Sequence, residues 1–139
     1  TTPTTLYGAY NRLANHRTPS LKCSQNSDQF RVNDAAAALK YPISLITADE
    51  IALAGGVYNT PNSNYYLYNG KYYWTLSPSR FNSNYSYANV WIVTTSGSLY
   101  PWYNVSSSNG VRPVINLSAD ALVTMGDGTS SNPFELTLS

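Results

Sequence analysis

Charge is scarce in this 139-residue chain: Asp, Glu, Lys and Arg together make up 11%, and the formal net charge is +1. That balance excludes the basic stripe with which a domain grips nucleic acid or an anionic membrane surface. One cysteine, Cys23, cannot close a disulfide within the chain, and His16 is the only histidine. No apolar run approaches the roughly 20 residues that a membrane-spanning helix needs. No secretory leader is read at the start. The opening "TTPTTLYGAY" has the flavour of a linker, so residues 1–6 read as a linker remnant on a fragment of a longer protein.

These absences also narrow the chemistry. A nucleophilic thiol needs a neighbour that lowers its pKa, and Lys22 beside Cys23 is a neighbour in sequence only. Cys23 therefore reads as a buried free thiol, or as one half of a bond to a cysteine outside this chain. His16 lies in no nucleophile elbow, and phosphate loops, dinucleotide fingerprints and cysteine metal spacings are missing. Calcium asks for six to eight oxygens, whereas only Asp120, Asp127 and Glu135 lie near one another in sequence. No catalytic residue, metal or cofactor is expected.

Aromatic residues, by contrast, are abundant at 14%. A low-charge chain without them would stay disordered; with them, one folded domain over residues 1–139 is expected. "LYGAYNRLANH" places Leu6, Tyr10 and Leu13 at helical spacing up to the Thr18-Pro19 stop. "QFRV" has the composition of a short strand, and Asp34 is an N-cap candidate before "AAAALK". The sharpest local signal is "YPISLITADEIALAGG". Thr47 and Glu50 form a capping box, Ile46 and Ile51 occupy the staple positions, and Gly55-Gly56 supplies the stop. The spacing predicts a helix over 48–54. Asp49 and Glu50 lie in its first turn, where the helix dipole favours them.

After Gly56 the pattern changes to period two. "YYLYNGKYYW" carries Asn69-Gly70 between aromatic runs and predicts a hairpin. "NVWIVTTSGSLYPW" predicts a second around Ser96-Gly97, and "ALVTMGDGTSSNPFELTLS" a third around Gly126-Asp127-Gly128. In "GVRPVINL" Pro113 restricts the strand to an edge or a bulge. Arg112 is expected to pair with Asp49 or Glu50. Asn84, Asn104 and Asn116 each begin a glycosylation-type triplet, which so Asn/Ser-rich a chain produces by chance. The class that follows is α+β, with short helices, small antiparallel sheets and long loops.

"YPISLITADEIALAGG" and "GVRPVINL", in this order and separation, resemble the helix entry and closing strand of the formylglycine-generating-enzyme (sulfatase-modifying factor) subtype of the C-type lectin fold. With "PSLKCSQNSDQF", "YYWTLSPS" and "GDGTSSNPFEL" added, the chain resembles, over about residues 7–136, a domain of unknown function in surface proteins of Gram-positive gut bacteria. The resemblance implies a C-type lectin-like domain on a bacterial cell surface or a phage particle. Catalysis does not carry over, because it needs a set of active-site cysteines and only Cys23 is here. Calcium-dependent sugar binding does not carry over either. The Glu-Pro-Asn, Gln-Pro-Asp and Trp-Asn-Asp motifs are missing, and "SNPFE" has the wrong order.

What remains to explain is the crowding of Tyr, Asn and Ser between Val57 and Asn109, which holds ten of the thirteen tyrosines. Strand propensity accounts for part of it. "SRFNSNYSYAN" and "SLYPWYNVSSSNG" read instead as turns that carry large rings. Tyr and Trp supply rigid contact area, while Ser and Asn supply adaptable hydrogen bonds. The expected binding face comprises Tyr85, Tyr87, Tyr100, Trp102, Tyr103 and Asn104, with Phe81 and Asn82 at its margin. The expected partner is an extracellular protein or a glycan. The same Asn/Tyr/Ser bias resembles the variable proteins of diversity-generating retroelements, which would make the loops hypervariable. A competing expectation is a structural spacer of a cell-surface or pilus-like protein whose rings only pack.

Overall fold

A computed structural model describes residues 4–22, 41, 43–115, 117, 120–129 and 131–137. Cys23, the "QFRV" strand and the Asp34 helix lie outside the described residues. The architecture is α+β. Strand β1 (Thr4–Leu6) leads into α1 (Gly8–Tyr10), which continues as a π-helical stretch, Asn11–His16. Then follow β2 (Ile43–Leu45), α2 (Ala48–Ala54), β3 (Tyr73–Asn82), β4 (Tyr87–Val93) and β5 (Leu99–Asn104). Strands β6 (Pro113–Ile115), β7 (Leu122–Met125) and β8 (Glu135–Thr137) complete the order. One four-stranded antiparallel sheet runs β1-β3-β4-β5; β2 pairs with β6 and β7 with β8. Thr4–Leu6, expected as the end of a linker, is thus the edge strand of the main sheet, opposite Arg80–Asn82.

Helix α2 follows from its capping box. The Glu50 N–H donates to Thr47 Oγ1 at 3.2 Å, and the Thr47 N–H donates to Glu50 Oε2 at 2.8 Å. Ile46 and Ile51 are both buried, as staple residues should be. Asp49 does more than complement the helix dipole. It is buried, and it accepts a bidentate pair from Arg12 at 2.8 and 2.7 Å and a third bond from the Ser20 N–H. This planar fork fixes α2 to the helical segment 8–16. Arg112, expected on Asp49 or Glu50, instead donates to the Leu67 carbonyl and lies over the Tyr73 ring at 5.6 Å. Arg12 occupies the place on Asp49.

The core gathers Ala9 and Leu13, Ile46, Ala48 and Ile51, Tyr65 and Leu67, and Tyr73, Trp91, Val93 and Leu99. The hairpin expected over Tyr65–Trp74 does not form. Residues 65–68 make a turn, with the Tyr68 N–H on the Tyr65 carbonyl, and Asn69 closes a local turn onto the Lys71 N–H. Tyr65 and Leu67 are core anchors: Tyr65 Oη donates to the Gly97 carbonyl, and Tyr73 Oη donates to the Leu67 carbonyl. Strand β3 finds β1 and β4 as partners instead. The β4–β5 hairpin forms around Gly97 as its sequence predicts. Gly97 has φ +79°, and a Cβ there would stand 1.8 Å from the Asn62 carbonyl oxygen, so only glycine fits. The last hairpin, β7–β8, is also present.

Bulges decide which way each ring faces. Between its pairings at Trp74 and Arg80, β3 takes six steps while β4 takes three, passing Pro78. Strand β5 gains a residue at Pro101-Trp102. A proline lacks the ladder donor and settles where the ladder is broken. Ser79 Oγ donates to the Pro101 carbonyl and ties the two irregular strands together.

Candidate functional site

The segments that read as turns are mostly strand. Ser79–Asn82 ends β3, Tyr87–Asn89 begins β4 and Leu99–Asn104 is β5. Aromatic strand propensity prevails there over the turn preference of Ser and Asn. Residues 83–86 form the turn between β3 and β4, organised by Asn82, whose Oδ1 accepts from the Asn84 and Tyr85 N–H groups at 3.1 Å, and a second turn follows β5 at 105–107. Asn82 is buried and also donates to Thr4 Oγ1. Its side chain is therefore part of the hairpin's frame. Asn104 closes β5 in the same way, accepting from the Ser106 N–H and hydroxyl.

Register divides the remaining expected residues between two faces. Arg80 pairs with Asn89, Asn82 with Tyr87, and Asn89 with Asn104, so Arg80, Tyr87 and Trp102 share the face that carries the core. Phe81 pairs with Ala88, Val90 with Tyr103, and Ile92 with Trp74 and Tyr100, which places these on the outer face. The structure therefore gathers Tyr85, Tyr87 and Trp102, and separates them from Phe81, Tyr100 and Tyr103.

On the core side the rings form a row. Trp91 is buried, Tyr10 packs on it at 6.3 Å, and Tyr10 meets Trp102 at 4.8 Å. The Arg80 guanidinium lies 4.4 Å from the Trp102 ring centre and 4.9 Å from that of Tyr87. Tyr85 stacks on Tyr87 at 6.0 Å with the planes 14° apart, and is 75% exposed. Each guanidinium–ring contact contributes roughly 0.5–1 kcal/mol at sites open to solvent. Nε of Arg80 donates to Asn89 Oδ1 at 2.8 Å and Nη2 to Tyr87 Oη at 2.7 Å. Burial raises the Tyr10 hydroxyl above its ordinary pKa, Tyr58 adds to the rise, and Arg80 opposes it.

On the outer side Tyr103 meets Tyr72 at 5.9 Å and Trp74 edge-on at 5.8 Å. Ile92 is fully buried on this side although it lies outside the core cluster. Its strand neighbours in register are Trp74 and Tyr100. Phe81, at 40% exposed, lies farther along the same face.

Sequence reasoning missed Arg80. The signal was available: it is one of two arginines in a stretch, 72–117, with no Lys, Asp or Glu. Among the described residues, no three His, Cys, Asp or Glu side chains converge as a metal would require, and Asp127 is engaged by the Thr129 N–H. No helix among them is long and apolar enough to cross a membrane. No curated protein and no solved structure matches the chain. Residues 10–119 match the family described as Domain of unknown function (DUF6273), and the chain belongs to that family.

Proposed function

We propose that this domain is a noncatalytic ligand-binding module of an extracellular or phage surface, with a C-type lectin-like fold. The observation that carries this reading is the ring row that leaves the core and ends in solvent. Trp102, Arg80, Tyr87 and Tyr85 adjoin in succession, and the last ring is 75% exposed. Rigid rings already held by their neighbours lose little entropy when a partner lands on them. The face narrows to Tyr85, Tyr87, Trp102 and Arg80. Asn82 and Asn104 frame it, and Phe81, Tyr100 and Tyr103 belong to the opposite side.

Screening the chain and its Tyr85→Ala variant on glycan and extracellular-protein arrays tests the reading. A ligand bound by the parent and lost by a variant of unchanged melting temperature supports it. A ligand indifferent to Tyr85 assigns binding elsewhere.

A spacer role is the second reading, favoured by the outer face, where Tyr72, Trp74 and Tyr103 pack on one another. It predicts no ligand at all. Genetic diversification would extend the binding reading, since Asn84, Tyr85 and Ser86 at the hairpin tip are exposed while Asn82 is committed to the frame. A reverse transcriptase beside the coding sequence, with a near-copy of these codons differing at adenines, would establish it.

A further inference from the structure

Resting on the binding reading above, we infer that Arg80 is the recognition residue of the face and that its ligand is a carboxylated saccharide. Arg80 is half-buried, and its two hydrogen-bond acceptors, Asn89 Oδ1 and Tyr87 Oη, are both neutral. It makes no salt bridge among the described residues, whereas Arg12 is fully matched by Asp49. Among the described residues Nη1 of Arg80 has no hydrogen-bond partner, and it is not one of their fully buried unpartnered atoms. Nε and Nη2 thus hold the guanidinium in place, and Nη1 is left without a partner among the described residues.

Among the described residues no acid pairs with it. From Ile51 to Ala119 the chain contains Lys71, Arg80 and Arg112 and not one Asp or Glu. Arg112 is taken up by the Leu67 carbonyl and the Tyr73 ring. A planar cation fixed between two rings, with Nη1 unpartnered among the described residues, is suited to a carboxylate, which accepts N–H bonds from such a fork.

The surroundings favour a sugar carboxylate over an acidic peptide. Next to the cation is a near-parallel pair of rings whose outer member, Tyr85, is largely free. The C–H face of a pyranose stacks on such a ring. The exposed tip residues Asn84 and Ser86 offer uncharged amide and hydroxyl groups of the kind that hydrogen-bond sugar hydroxyls. An acidic peptide would be better served by a second cation near Arg80, and the hairpin carries none.

The test compares pairs of ligands on the unaltered chain: oligogalacturonate and sialyllactose, each against its counterpart with the carboxyl group reduced to the alcohol. The expected result is that at least one acidic member binds about tenfold or more tightly than its reduced counterpart, the weight of a charge-assisted bond. Added salt should narrow the gap, and Arg80→Gln should abolish it. Arg80→Lys, which keeps the charge but not the fork, should restore the gap in part. Because the reduced ligand is tested on the parent protein, the result does not depend on how well a variant folds. Equal binding of both members overturns the proposal, and so does binding of neither, discrimination that survives Arg80→Gln, or preference for an acidic peptide such as oligoglutamate. If neutral ligands bind and depend on Tyr85, the binding face stands and the carboxylate assignment falls. If no ligand senses Tyr85, both fall.

Discussion

On the outer face of the main sheet, which also carries buried Ile92, Trp74 meets Tyr103 edge-on and Tyr72 meets Tyr103 at a 35° tilt, and the patch is made of uncharged rings. On the core face the rings begin at buried Trp91 and run outward through Tyr10 and Trp102 to a cation and then to exposed Tyr85. Both faces draw on the same residue types. They differ in where the row ends and in whether a charge is set into it. The outer patch, whose Tyr72 is itself partly exposed, sets its rings against one another, while the row ends in the more exposed Tyr85 beside a cation. Aromatic content alone therefore says little about binding; the arrangement around Arg80 does.

The largest test of this comparison is alkaline. Burial pushes the Tyr65 and Tyr73 hydroxyls, and to a lesser degree of burial the Tyr10 hydroxyl, above their ordinary value near 10. A raised folded-state pKa contributes stability that is fully present below the unfolded value and is lost as pH rises from there through the folded value. Denaturant midpoints should be flat up to about pH 9 and fall steeply above about pH 10. A flat profile to pH 12 would mean that these hydroxyls are free to ionise in the fold.

Next in size is Ile92→Ala, which should cost about 3 kcal/mol by urea unfolding if the outer patch is a second packed cluster. A cost under about 1 kcal/mol would show that patch to be loosely held and open to a ligand. Trp102→Ala should cost about 2 kcal/mol, since the ring supports both Tyr10 and Arg80. Its removal would therefore change stability and binding together. Smallest is Tyr85→Ala, within about 0.5 kcal/mol of the parent in stability. That near-neutral background makes it the informative variant for binding.

Helix α2 was legible because every part of its signal is local: the Thr47–Glu50 box, the Ile46–Ile51 staple and the glycine stop lie within eleven residues of chain. The Ser96-Gly97 hairpin was legible for the same reason. Asn69-Gly70 is just as local a signal, yet it misled, because Tyr65 and Leu67 gain more from the core than from a ladder. Arg112 was assigned the wrong partner because Asp49 is satisfied by Arg12, 37 positions away, a pairing no local pattern reveals. The candidate face was half legible. Its ring types were evident, but the division into two sides depends on bulges at Pro78 and Pro101, which break the period-two alternation. Arg80 was overlooked because an arginine's value as a site depends on which acids are absent around it in space.

The most direct measurement is a titration of the isotope-labelled chain with sialyllactose and with oligogalacturonate, followed by amide, indole and guanidinium resonances. The account predicts shifts at Arg80 Nε–H, Trp102 Nε1–H and the backbone amides of Tyr85 and Tyr87, with Trp74 and the Tyr103 amide still. Shifts centred on Tyr72, Trp74 and Tyr103, with Arg80 unmoved, would contradict it and make the outer face the binding surface.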